Sequence, residues 1–542
     1  MKYRNRKNVV LAAAVAAAST VGINGPANAQ EQMLIEEVVV TARKREESLQ
    51  RVPMAVSAFS ERQLQAAQVN NIVDLERMTP NMTLTETGGL QAGSVAVFMR
   101  GIGNDPGFDQ GVGIYVDDVY LNRTSGALLE VYDTERIEIL KGPQGNLYGR
   151  NTIGGAIKYI SRTPGDEFEG GIEVKGGEYD LIEVKANASG PLIEDSLYGS
   201  IGALYKDREG IQENTLDGGE YWSTDVQAVR GSLLWKASDS LSVKLAGDYM
   251  KDSSDPRVPN RVGVDPATLG GIDFVISGAN LFLGPGTGLV STPNDQSLPV
   301  DIDTVSTEFV DGFDDFEIEA TTLAMTVDWD MSDSWSLKSV TALRTVDDVS
   351  PYDFDGSEQQ FITTKNERDR EDFSQEFQFN YTGDTVNAVM GLYYLDGEAE
   401  NPGITFQYPR LRAILTQVKD TYVDKRELTS YSAYASVDWN FADSWQLSLG
   451  GRYTRDEKDE TQRATVDQGL FAYAGLQGFP PQAIVSVAPG QEAIAQQSPL
   501  FAFWTSSFVP PGFNSEFTEI SFPEDTDASD EWNEFTPSAR LT

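Results

Sequence analysis

From about residue 166 onward the chain alternates apolar and polar positions in runs of about nine to twelve residues, the period of an extended chain with two unlike faces. In the run from Trp445, the residues Trp445, Leu447, Leu449, Gly451 and Tyr453 share one face. Gln446, Ser448, Gly450, Arg452 and Thr454 share the other. Phe373, Phe377, Phe379 and Tyr381 likewise alternate with Ser374, Glu376, Gln378 and Asn380, and Leu241, Val243, Leu245 and Tyr249 with Ser242, Lys244 and Asp248. The pattern predicts about twelve strands, near 169–177, 180–189, 198–206, 224–235, 241–250, 320–330, 335–347, 372–381, 385–396, 428–439, 445–456 and 534–542. Each is close to the length of a tilted strand crossing a bilayer. Trp329, Trp335, Trp439 and Trp445 sit at strand ends, where an interfacial belt wants them.

Connection lengths point the same way. Tight turns at 237–240, 331–334, 382–384 and 440–444 alternate with long excursions at 207–223, 251–319, 348–371, 397–427 and 457–533. Short turns at one end and long loops at the other are the asymmetry of an outer-membrane barrel. A secreted β-sandwich or β-helix is the alternative, although loops this long are uncommon in compact soluble folds.

The first 165 residues follow other rules. Lys2, Arg4, Arg6 and Lys7 precede an Ala-rich apolar run and an Ala27-Asn28-Ala29 site, the layout of a signal peptide over residues 1–29. In the segment 30–49, Glu36, Glu37, Val38, Val39, Val40, Thr41 and Ala42 form an extended-prone stretch before three basic residues. Such a stretch suits either the first strand of the next domain or addition to another protein's sheet. Residues 50–165 read as a compact α/β domain. A strand runs over Val52–Phe59, a helix is capped by Ser60 with Gln63 at its third position, and a second short helix spans about 71–78. Strands follow at 94–99, 113–116 and 136–140.

Composition narrows the function. The net charge of −41 makes nucleic acid an improbable partner. With no His, the chain lacks the commonest metal ligand and general base. No run reaches the length of a helical membrane span. Asp117 and Asp118 are adjacent acids, but neighbours on an extended chain face opposite ways and converge only through a turn. The glycines around Pro143 match neither a dinucleotide fingerprint nor a Walker loop. Acidic runs at 301–319 and 524–534 fit solvated faces or hard oxygen ligands for a divalent cation, without EF-hand spacing to name a metal residue. Phe501, Phe503, Trp504, Phe508 and Phe513 suit either ligand stacking or a small loop core.

Three motifs in order resemble the plug of TonB-dependent outer-membrane receptors. They are Arg100-Gly101-Ile102-Gly103, then Tyr115 to Tyr120 including Asp117, then the run from Glu135 to Ile157. The last contains Arg136, Glu138, Gly142, Pro143, Leu147, Tyr148, Gly149, Arg150, Gly154 and Gly155. Asn146 and Asp118 are minor departures from the family pattern. Residues 36–42 are similar to the family's energy-coupling box. The resemblance implies an α+β plug domain followed by an antiparallel transmembrane β-barrel, 166–542, of the 22-stranded type with only about twelve strands present. The C-terminal part of the barrel is therefore expected to be missing. It implies charged plug–barrel contacts from Arg100, Glu138, Arg150 and Glu135.

The implied function is energised uptake of a scarce ligand, a ferric siderophore or similar iron complex, with cobalamin or an oligosaccharide as alternatives. The implied partners are a TonB-type inner-membrane protein, the ligand and outer-membrane lipid. Transport without covalent change needs no cofactor, metal or catalytic residue, and the ligand-binding residues are unassigned. A passive porin, a surface adhesin and an exported glycan-active enzyme are the rivals.

Overall fold

The computed structural model describes residues 39–541, except 90–92, 105–108, 128, 216–217, 260–303, 306–315, 354–362, 408–418, 443–444, 468–469, 475–481, 488–516 and 519–525. The expected signal peptide, the aromatic loop residues and most of the acidic run at 301–319 lie outside the described residues, whereas the run at 524–534 falls mostly within β28, Thr526–Leu541.

The N-terminal part contains β1 (Val39–Val40), β2 (Glu47–Ser48), β3 (Val56–Ser60), β4 (Met82–Glu86), β5 (Val95–Met99), β6 (Ile102–Asn104), β7 (Val112–Val116), β8 (Val119–Tyr120), β9 (Thr134–Lys141) and β10 (Gly155–Ser161). A helix spans Glu61–Ala66, and the Ser60 amide donates to Gln63 Oε1 at 2.9 Å, as the capping pattern predicts. The second predicted helix is a 3₁₀ turn, Ile72–Met78, capped by Asn71. A five-stranded sheet in the order β3-β9-β10-β7-β8 is backed by the hairpin sheet β4-β5-β6. Its core packs Leu64, Leu75, Leu84, Met99, Ile114, Ile137 and Ile157. The alternation missed β10 because its two leading glycines read as loop. Gly155 sits at φ 150, and a Cβ there would lie 2.2 Å from Leu140 O, so only glycine lets β10 close on β9.

The rest is β11 (Glu169–Gly176), β12 (Ile182–Ile193), β13 (Leu197–Arg208), β14 (Gln212–Asn214), β15 (Glu220–Tyr221), β16 (Thr224–Ser238), β17 (Leu241–Asp252), β18 (Thr304–Val305), β19 (Glu317–Ser332), β20 (Trp335–Asp353), β21 (Thr363–Thr382), β22 (Val386–Gln407), β23 (Lys419–Ala442), β24 (Trp445–Asp467), β25 (Leu470–Ala474), β26 (Gln482–Val487), β27 (Phe517–Thr518) and β28 (Thr526–Leu541). Twelve of them form one antiparallel sheet, β11-β12-β13-β16-β17-β19-β20-β21-β22-β23-β24-β28, with β11 and β28 at its edges. The six short strands left over belong to two small sheets in the connections.

Burial inverts the soluble rule. Leu245, Leu323, Leu343, Phe373, Phe377, Leu449 and Tyr453 are exposed on the outer face, while Arg344, Glu376, Gln378 and Arg452 are buried on the inner one. Such a face suits lipid, and no soluble monomer would show one this extensive. Trp329, Trp335, Trp439 and Trp445 project outward at the short-turn end. Several strands overrun their predicted ends: β21 begins at Thr363 and β24 runs to Asp467. Parts of the excursions expected at 348–371, 397–427 and 457–533 are therefore strand. The added stretches, such as Thr363–Arg370, are polar on both faces and carry no alternation to read.

The outer face makes a direct prediction. Leu343→Arg, placed mid-band, should cost about 2–4 kcal/mol in lipid, whereas Asp369→Arg on the exposed polar extension should cost close to nothing. Equilibrium unfolding in lipid vesicles measures both.

Candidate functional site: the N-terminal segment docked under the plug

β1 pairs with β2 through only two residue pairs, Val39 with Ser48 and Val40 with Glu47. Side chains do the rest. Val40 and Ala42 are fully buried among Tyr115, Leu140 and Tyr148 of the plug and Val389, Leu428 and Tyr434 of the wall. The Thr41 amide donates to both carboxylate oxygens of Glu138, at 2.9 and 3.1 Å. Lys158 Nζ donates to Thr41 Oγ1 at 2.7 Å, and the Tyr148 hydroxyl donates to Thr41 O at 3.2 Å. Glu138 is itself fully buried and accepts from Arg136 Nε at 2.9 Å. Glu36, Glu37 and Val38 lie outside the described residues.

The basic run that follows is anchored to the wall. Arg43 pairs with Asp438 at 2.8 Å and with Glu47 at 2.5 Å, and Arg45 reaches the same two acids. Lys44 Nζ lies 2.5 Å from Glu376, which also accepts from the Tyr434 hydroxyl at 2.6 Å. The ammonium stands 5.3 and 5.4 Å from the ring centres of Tyr148 and Tyr434. Burial lowers the Lys44 pKa even with Glu376 opposing the shift.

Above the segment, Asp117 and Asp118 form the two-residue turn between β7 and β8, at φ 48 and 67. The turn splits the two acids instead of converging them. Asp117 accepts from the Ser161 amide at 2.8 Å and faces Lys244 at 3.5 Å. Asp118 meets Lys158 at 2.9 Å and Lys338 at 3.0 Å. Burial alone would raise the Asp118 carboxyl, but Lys158, Lys338 and Lys44 hold it well below the usual carboxylate range. Burial opposes the smaller fall at Asp117, where Lys244 and Arg230 prevail.

The glycine-rich motif spans the return from β9 to β10. Gly142 takes φ 99 after β9, Pro143 follows it, and Gly154 leads into β10. At φ 85, a Cβ on Gly149 would come within 2.5 Å of the Arg452 guanidinium carbon. Glycine there lets the wall arginine lie on the plug loop, where Arg452 Nη1 donates to Leu147 O at 3.3 Å. Arg150 meets Asp109 of the plug at 3.7 Å and Asp456 of the wall at 3.8 Å.

Three expected wall contacts take another form. Arg100 sits at φ 54 in the tight turn between β5 and β6, with Gly101 and Gly103 after it, and its exposed side chain has no ion pair among the described residues. A hairpin tip projects its side chain outward, beside Lys141 and Gly142 and away from the wall. Glu135 is half-exposed and pairs with its neighbour Arg136. Glu138 serves the N-terminal segment instead of the wall. Sequence parity placed Glu376 and Arg452 on the inner face. Lys44, Lys158, Lys338 and Asp438 gave no signal of their own.

Residues 48–156 match the TonB-dependent Receptor Plug Domain, and residues 263–538 match the TonB dependent receptor-like, beta-barrel family. The chain belongs to the TonB-dependent receptor family. It is 29% identical over 210 residues to the pesticin receptor of Yersinia pestis, covering 38% of this chain and 30% of that one. It is 31% identical over 166 residues to the vitamin B12 transporter BtuB of Vibrio vulnificus, covering 30% of this chain and 26% of that one. The match thus spans less than a third of the length of each of these two relatives. In fold it is similar to the crystal structure of the ferric yersiniabactin uptake receptor FyuA from Yersinia pestis, with a TM-score of 0.63 at 17% identity, over 90% of this chain and 61% of that one. A plug joined to an outward-apolar strand wall is the architecture of outer-membrane receptors of Gram-negative bacteria, and it places the chain in that membrane.

Two outcomes follow from the docking contacts. Glu138→Ala removes the acceptor of the Thr41 amide and should speed its hydrogen exchange by about tenfold or more, read by mass spectrometry on the 39–48 peptide. Because the Asp118 pKa is depressed in the folded state, its contribution is fully present above the ordinary Asp range, about 3.9, and is lost as pH falls towards the lower folded value. Plug–wall contact at this turn should therefore persist through mildly acidic pH, with proteolysis of the β7–β8 turn as the readout.

Proposed function

We propose that this chain is a ligand-gated receptor that takes up a scarce nutrient complex across the outer membrane, powered from the inner membrane. The observation that carries this is the docking of residues 39–42. The strand has two residue pairs, and the rest of its attachment is through side chains, so a partner strand can replace β2 without melting a larger sheet. In this reading a TonB-type periplasmic partner pairs with residues 36–42 and pulls, and the plug transmits the pull.

The ligand class is a ferric siderophore or a similar iron complex. The likeness in fold to FyuA, a ferric yersiniabactin uptake receptor, supports it. Cobalamin stands as the second reading, because the vitamin B12 transporter matches at 31% identity. A passive porin has no use for a plug fixed by this many charge pairs. Outer-membrane lipid is the remaining partner, covering the apolar face.

Val39→Pro removes a backbone donor at a half-exposed position and blocks strand exchange. Binding of radiolabelled ferric complexes and of cobalamin to whole cells should stay within about twofold of the parent, while accumulation falls by about tenfold or more. Normal accumulation with an intact plug would refute the coupling role.

A further inference from the structure

The connection between β6 and β7 carries Asp109, and cations from three separate places converge on its carboxylate. Arg123, just after β8, places Nη1 3.4 Å from Asp109 Oδ1, and Arg150, in the β9–β10 return, places Nη2 3.7 Å from the same oxygen. Lys458 of β24 holds the other oxygen. Arg150 also faces Asp456 at 3.8 Å. Three cations thus share two acids, in a chain whose net charge is −41. Lys458 stands thirteen residues along β24 from Trp445 at the short-turn rim. At about 3.3 Å per residue and a tilt near 45° it lies about 30 Å above that rim, and an apolar band is about 25 Å tall. The cluster therefore sits on the long-loop side.

We propose that Asp109 is a resident stand-in for a carboxylate of the ligand, occupying an anion site built from Arg123, Arg150 and Lys458, an inference that rests on the uptake reading above for its ligand. Asp109 fits the two guanidiniums loosely. Its contacts of 3.4 and 3.7 Å fall short of the paired bonds, about 2.7–2.9 Å long, that a well-placed carboxylate makes with arginine. Arg150 is nine-tenths buried, yet its Nε and Nη1 have no hydrogen-bond partner. A buried donor left unmet costs free energy, and an incoming acid would satisfy it. Asp109 is the most exposed member of the set, at 40% against 22% for Arg123 and 10% for Arg150, so it lies on the side open to an arriving solute. Burial alone would raise its carboxyl, but Lys458, Arg150 and Arg123 hold it below its ordinary value and keep it charged. Burial lowers the Arg123 guanidinium, and crowding by Arg150 and Arg426 adds to the fall against the pull of Asp109. A guest carrying two free carboxylates on one small frame can face both guanidiniums at once, which a single acid tethered to the backbone does not. The ligand class narrows to iron complexes with free carboxylates, and a neutral complex gains nothing at this point.

An internal occupant weakens the apparent affinity for a guest in proportion to the time it holds the site, by about tenfold when the site is vacant about a tenth of the time. Equilibrium dialysis of the intact receptor in detergent micelles measures binding of radiolabelled malonate, a small dicarboxylate, at low salt, where exposed charges are least screened. Asp109→Asn should tighten malonate by about tenfold or more. Asp456→Asn makes the same change of charge beside the same arginine and should tighten it by less than about threefold, because a field effect alone is weaker than vacating the site. Arg123→Gln plus Arg150→Gln in the Asp109→Asn receptor should abolish the gain. Lys458→Gln, at a more exposed position, replaces that pair if it fails to assemble, and should reverse most of the gain. Equal tightening by Asp109→Asn and Asp456→Asn, no tightening by Asp109→Asn, or a gain that survives loss of the cations overturns the stand-in. Accumulation of radiolabelled ferric complexes by cells carrying the Asp109→Asn receptor is read separately. Tightened malonate without accumulation of any complex leaves the anion site standing and removes the uptake reading. Accumulation with malonate affinity unchanged does the reverse.

Discussion

A wall that shows its apolar side to lipid must show its polar side to whatever fills it, and that constraint governs the charged plug contacts described above. An inner face carrying Glu376, Arg344, Arg452 and Asp438 cannot be covered by an ordinary hydrophobic core, because each buried charge would be left uncompensated. The plug meets it with matching groups. Asp118 answers Lys338, Arg150 answers Asp456, Lys44 answers Glu376, and Gly126 O accepts from Arg344 at 3.1 Å. The plug's own apolar core lies behind these contacts, and one apolar patch, Tyr115, Leu140 and Tyr148 against Val389, Leu428 and Tyr434, bridges plug and wall.

The choice of charge pairs over packing has a mechanical meaning. Apolar interdigitation resists sliding because every side chain must leave its hole. A set of ion pairs and hydrogen bonds can be broken one at a time, with water replacing each partner. Lys158 concentrates this logic, since it touches the N-terminal segment and the turn at once. Joints of that kind can be released at the interface while the rigid apolar core elsewhere stays intact.

How much of this was legible depended on whether a residue's environment was local. The strands of the membrane band were readable because lipid on one side and a polar lumen on the other impose a two-residue period on each strand alone. Their polar extensions were not, since Thr363–Arg370 meets polar surroundings on both faces. β10 was hidden because close approach to Leu140 O demands glycine, which reads as a break. The docking pairs were out of reach for another reason: Arg43 and Asp438 are 395 residues apart, and nothing near either one announces the other. Arg100 was misjudged because its motif identifies a turn, and a turn alone does not say which way its tip points.

The overlong strands shape the approach to the mouth. β22, β23 and β24 have 22, 24 and 23 residues, against 12 each in β12, β13 and β17. At about 3.3 Å per residue and a tilt near 45°, the longer strands rise roughly 50 Å, about twice the height of an apolar band of about 25 Å. One flank of the sheet thus stands as a parapet above the membrane while the other ends near its surface. The upper part of that flank is wetted on both faces, so its added residues are free to be polar on either side, with no lipid-facing row to keep apolar.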